Sequence, residues 1–171
     1  MSPRVKVPFL VLMALFLHTT LLGSIHVRHV RPDGMLLLVV LSALVGGQQA
    51  GTVVGFVAGL LADLTLQTPF GLSALVLTLT GFSVGTVRTA LVRAAWWLAP
   101  LIAFVASAAA VAGFAILGAL VGQAQLLRPG PVHLLVVATL VGAMNAVLTL
   151  GVHPAVRWAF APAVPERSYA R

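Results

Sequence analysis

Cysteine does not occur in the chain, so disulfide bridges, thiolate metal sites and a cysteine nucleophile are excluded. Carboxylates are nearly as scarce. Asp33, Asp63 and Glu166 are the only acids, and none has a second acid nearby in sequence for paired acid and base work. No nucleophile elbow, glycine-rich phosphate loop or metalloprotease helix occurs, and nothing marks a cofactor site. His26 and His29 sit in a basic connector without a third ligand, too little for a metal centre. The residues argue for no enzyme and no cofactor.

What is present is apolar. Hydrophobic residues fill 60% of the 171 positions, charged ones 8%, and the mean hydropathy is +1.10. A water-soluble domain of this size cannot bury so much. The apolar runs are helix-length and rich in Leu, Ala and Val, unlike the short alternating segments of an outer-membrane barrel. The class is an all-α integral membrane protein. Ten Lys and Arg against three acids give +7, a balance that in a soluble protein suggests nucleic acid. Here the bases punctuate apolar runs, where they orient spans and meet anionic lipid, and no nucleic-acid partner is expected.

Six spans are predicted along the chain. The first covers about Val7 to Ile25; Arg4 and Lys6 before it mimic a signal peptide, but no small-x-small cleavage site follows, so it reads as a retained anchor. Pro32-Asp33-Gly34 then starts a helix, with proline in the first turn and an acid at the positive end of the dipole. Its core, Gly34 to Val45, is short, at about 18 Å against a hydrocarbon thickness near 30 Å. Gly46-Gly47-Gln48-Gln49 breaks the run, and a third span rises from Ala50 to Leu66. A turn at Gln67 to Gly71 leads to Leu72–Val87, then Trp96-Trp97 opens a run to about Val121. A Pro- and Gly-containing loop, Gln123 to Pro131, precedes the last span, Val132–Val152, which Pro154 closes. Residues 1–160 thus form one polytopic domain and 161–171 a short polar cytoplasmic tail.

Charge fixes the orientation. With six spans and the N-terminus inside, Arg4, Lys6, Arg88, Arg93, Arg157, Arg167 and Arg171 all fall on the cytoplasmic side, seven of ten bases. Five spans would leave only Arg4, Lys6 and Arg128 there. Both termini are therefore expected in the cytoplasm. Trp96, Trp97 and Trp158 then join Arg88 and Arg93 at the cytoplasmic interface, where indole rings and head groups meet.

One stretch carries a pattern beyond composition. Gly51, Gly55, Gly59 and Asp63 recur every four residues and share one helical face. Small residues there let a second helix approach closely, the main source of association in lipid. Asp63 at the end of the stripe needs water, a donor or a cation. Under the six-span topology it lies toward the outer face with Asp33, Arg28, Arg31 and Arg128, which suggests a pairing with one of those arginines. An ion or proton ligand is the competing use. His18 within the first span and Asn145 in the last read as polar bridges between helices.

The middle of the chain resembles the rod shape-determining protein MreD family. The ordered set is Arg31-Pro32-Asp33, Gly46-Gly47, Gly51, Gly55-Phe56, Gly59-Leu60-Leu61, Asp63, Gly71-Leu72-Ser73-Ala74-Leu75 and Gly81-Phe82, over roughly residues 31 to 88. The resemblance implies a multi-pass, non-enzymatic component of the wall-elongation machinery in the bacterial cytoplasmic membrane, beside MreC and linked to the MreB cytoskeleton. It also implies association with a cell-wall glycosyltransferase and a class B penicillin-binding protein. Its fold would be related to the substrate-binding subunits of energy-coupling-factor transporters. Pro32, Asp33, Gly55, Phe56, Gly59, Asp63 and Gly71 carry over as packing and partner-contact positions. A vitamin-binding subunit of such a transporter is the second reading, and it needs a polar pocket. A small proton-coupled transporter comes third.

Overall fold

A computed structural model describes residues 32–64, 69–91, 97–126 and 128–160. The first span, Arg93, Trp96 and the tail lie outside the described residues. Five α-helices and one short 3-10 turn are present, and no strand occurs among the described residues. They are α1 (Gly34–Gly46), α2 (Gln48–Asp63), α3 (Leu72–Leu91), α4 (Leu98–Leu120), the turn Ala124–Leu126, and α5 (Pro131–Phe160).

The shortest helix is the centre. Every residue of α1 from Met35 to Leu44 is buried, and α1 touches all four other helices. Its composition predicts this place, because a helix apolar around its whole circumference has no face to give to water. At 13 residues it is about 20 Å long. Asp33 starts it: Oδ1 accepts the N–H of Leu36 at 3.0 Å, a donor the first turn cannot satisfy itself. Gly47 ends it with φ +85°, a conformation glycine adopts without Cβ strain. The Gly47 N–H donates to Ala43, and its carbonyl accepts from Gly51, both at 2.9 Å. One residue therefore separates α1 from α2, and Gln48 and Gln49, expected in the break, already belong to the second helix.

The other helices wrap α1 as two hairpins, α2 with α3 and α4 with α5. Among the described residues, α4 and α5 are long and apolar enough to cross a membrane, while α1 and Leu72–Arg88 are shorter apolar helices. The last helix departs from expectation, since Pro154 lies inside it and does not close it. Proline there removes the bond to the Leu150 carbonyl and crowds it, at a cost of about 3 kcal/mol. Packing outweighs the breaker: Val156 and Ala159 beyond it are fully buried, and the Phe160 ring lies against Gly46 at the end of α1. The third span is likewise shorter than expected, so that Asp63 is the last residue of its helix and not one turn inside it.

The bundle has two chemically distinct ends. Asp33, Ala62 and Ser73 line one cavity, which places the start of α1, the end of α2 and the start of α3 together. Arg88, Leu98 and Arg157 line another, at the opposite end of those helices.

Candidate functional site

The glycine face of α2 lies on α3. A Cβ added at Gly51 would meet the Gly81 carbonyl oxygen at 2.6 Å and the Ala43 Cβ at 2.5 Å. At Gly55 it would strike the Leu77 carbonyl, and at Gly59 the backbone of Ala74 and Ser73. From the other side, Gly81 abuts the Gly51 carbonyl and Gly85 abuts Gln48. Five glycines thus interlock two backbones where side chains would hold them apart. Gly51, Gly55 and Gly59 are buried, whereas Phe56, on an adjacent flank of α2, is 53% exposed.

Close approach delivers Asp63 to its partners. The residue is 4% exposed, and its carboxylate accepts three backbone N–H groups: Gly71 at 2.9 Å, Ser73 at 3.0 Å and Ala74 at 3.2 Å. These belong to the turn and first residues of α3, whose opening N–H groups have no partner within the helix. Asp63 caps α3 from another helix and places negative charge at its positive dipole end. Among the described residues no arginine pairs with it, and Arg128 is exposed in the loop after the 3-10 turn. Arg28 and Arg31, the other expected partners, lie outside the described residues, and within them the carboxylate is met by backbone donors. A carboxylate surrounded by three N–H groups is already compensated, so burial no longer demands a cation.

Gly71 makes this geometry possible. Its φ is +98°, and an added Cβ would meet nothing within 4 Å, so only the backbone conformation requires glycine there. Gly71→Ala is therefore expected to destabilise the full chain by about 1 kcal/mol, the Cβ penalty of the left-handed region. A lowered thermal midpoint in detergent would show it; an unchanged midpoint would mean the turn relaxes at no cost.

Asp33 holds a second polar junction, next to buried Pro32. Its carbonyl accepts from Asn145 Nδ2 at 3.2 Å, and the same amide donates to Ser107 Oγ at 2.9 Å. Asn145 is fully buried. It thereby joins the start of α1 to α4 and α5. The sequence pointed to Asn145 but not to Ser107, because a lone serine in an apolar run carries no periodic signal. A double-mutant cycle of Asn145→Ala and Ser107→Ala is expected to give a coupling of about 0.6 kcal/mol, the average for such bonds in membranes. Strict additivity of the unfolding free energies would deny the bond.

Beside these acids lies a cavity of about 270 Å³ with mostly apolar walls, including Met35, Leu77 and Phe114. The Ser73 hydroxyl is buried without a hydrogen-bond partner among the described residues and belongs to the same lining. At the far end, Trp97 and Trp158 are each 54% exposed, close in sequence to Leu98 and Arg157 of the second cavity. Among the described residues no group of three or more His, Asp or Glu is placed to hold a metal.

The family model for rod shape-determining protein MreD matches residues 3–150 of this chain. No curated protein and no solved structure gave a match.

Proposed function

The chain belongs to the MreD family, a rod-shape determinant of the cell envelope, and from that premise we propose a scaffold for wall synthesis. In this reading it is a non-enzymatic, multi-pass component of the cytoplasmic membrane that supports or regulates peptidoglycan synthesis during elongation. Its partners are an MreC-like protein, the MreB cytoskeleton, a cell-wall glycosyltransferase and a class B penicillin-binding protein. The observation that carries the reading is the use made of Asp63, whose carboxylate is committed to three backbone donors at the start of α3. That use suits a rigid packing element better than an ion or proton ligand.

Six spans with both termini cytoplasmic complete the proposal. Arg88, Arg157, Trp97 and Trp158 at one end of the bundle support it, since bases and indoles favour a cytoplasmic interface. Outward-facing Val53, Phe56, Leu79 and Phe82 on α2 and α3 are exposed and available to lipid or to a partner helix. A substrate-binding subunit of a vitamin transporter is the second reading, and the cavity beside Ser73, with its mostly apolar walls, offers it few polar contacts.

Affinity purification of the full chain from membranes separates the two. Recovery of an MreC-like protein supports the scaffold; recovery of paired ATPases with a coupling subunit overturns it. Depletion in a host that elongates along its side wall is expected to abolish rod shape.

A further inference from the structure

The end of the bundle away from both described acids holds a cavity of about 580 Å³, larger than the one of about 270 Å³ beside Ser73. Its lining is divided by chemistry. Val45, Ile102 and Leu150 supply an apolar wall, while Arg88, His153 and Arg157 contribute the ionisable side chains. These come from the ends of α3 and α5, which the fold brings together across α1. Thr149 also lines the cavity, but its hydroxyl donates to the Asn145 carbonyl at 2.8 Å and is already engaged.

Nothing in the lining offsets the two guanidinium charges. Asp33 and Asp63 lie at the opposite end, and no carboxylate lines the cavity among the described residues. Arg88 is only partly exposed, and its Nη1 stands 3.1 Å from where a Cβ of Gly47 would be. The side chain thus ends beside the junction of α1 and α2. Arg157 is exposed and approaches from the other side. Planar guanidinium groups suit phosphate oxygens, which they bind through paired N–H donors.

We propose that this cavity binds the phosphate of a lipid with a net anionic head group, seated between Arg88 and Arg157 with the acyl chains along the apolar wall. A basic pocket between spanning helices near one membrane surface is a recurrent setting for anionic head groups. Apolar lining beside the charges distinguishes a lipid from free phosphate, which has nothing to place there. The inference rests on the membrane setting of the bundle and not on the scaffold reading, so partner recovery can fail while lipid binding persists.

Native mass spectrometry of the full chain, released from detergent after incubation with phosphatidylglycerol or phosphatidylcholine, tests it. The unmodified chain is expected to retain one phosphatidylglycerol at least about tenfold more tightly than phosphatidylcholine, given roughly 1 kcal/mol for each arginine near an anionic head group. R157Q, a change at an exposed position, is expected to lose much of that preference, R88Q/R157Q nearly all of it, and R157K to keep part. R128Q, at the other end, is expected to leave it intact. Equal loss in R128Q, or none in R88Q/R157Q, overturns the proposal. Displacement of the lipid by millimolar inorganic phosphate overturns the lipid as the source. Tighter lipid retention in E166Q would show the tail carboxylate to be the occupant and likewise overturn it.

Discussion

Replacing Asp63 by alanine is expected to be among the most damaging single changes in the bundle, lowering stability by about 4 kcal/mol. Three N–H groups, those of Ser73 and Ala74 buried and that of Gly71 partly so, lose a charged acceptor at once, and each such loss costs about 1 to 3 kcal/mol without full additivity. Asparagine is the sharper probe. Its single oxygen can keep the Gly71 and Ala74 bonds made by Oδ2, but its amide nitrogen then faces the Ser73 N–H, donor against donor. Asp63→Asn is expected to cost about 2 kcal/mol, from one lost bond and the removed charge at a helix start. Denaturation of the full chain in mixed detergent measures both. The order alanine worse than asparagine worse than unmodified is the result required; equal midpoints for all three would show that Asp63 does not hold α3.

A comparable effect is expected where α2 and α3 touch through backbone. Gly55→Ala and Gly81→Ala each place a methyl group against a carbonyl of the neighbouring helix, Leu77 in one case and Gly51 in the other. Backbone cannot rotate aside as a side chain can, so the helices must separate. Overpacking of this kind costs about 1 to 3 kcal/mol, and Gly55→Leu is expected to exceed it by driving the whole seam open. Gly113→Ala is the control: nothing lies within 4 Å of its added Cβ. Alanine there gains up to about 1 kcal/mol in helix propensity. If Gly55→Ala behaved like Gly113→Ala in the same denaturation, the interlocked seam would be refuted.

These two effects also mark what the sequence could and could not convey. Spacing alone put Gly51, Gly55, Gly59 and Asp63 on one face, because helical periodicity is local. Which neighbour that face meets depends on the return of the chain at Gly71, and four-residue spacing holds no information about it. The three donors that Asp63 meets at the start of α3 were hidden for the same reason. Backbone donors appear in no residue type, so a search among side chains passes over them. Pro154 shows the reverse error, a strong local breaker overridden by burial of Val156 and Ala159, which lie against elements distant in sequence. Caps and breaks written in one place, Pro32-Asp33-Gly34 and Gly47, were legible. Arg88 and Arg157 converge only once α3 and α5 are folded around α1, and their shared cavity was invisible in the linear order.

The position of α1 has a consequence for biogenesis. It is made before the four helices that enclose it, yet it is too short at about 20 Å to rest alone across about 30 Å of hydrocarbon. Synthesis order and packing order are therefore opposed. In the six-span reading proposed above, α1 would remain with the insertion machinery until α4 and α5 emerge, or thin the lipid around it, the local accommodation that short hydrophobic segments require. A nascent chain halted after α3 would expose the face of α1 that Ser107 and Asn145 later close off.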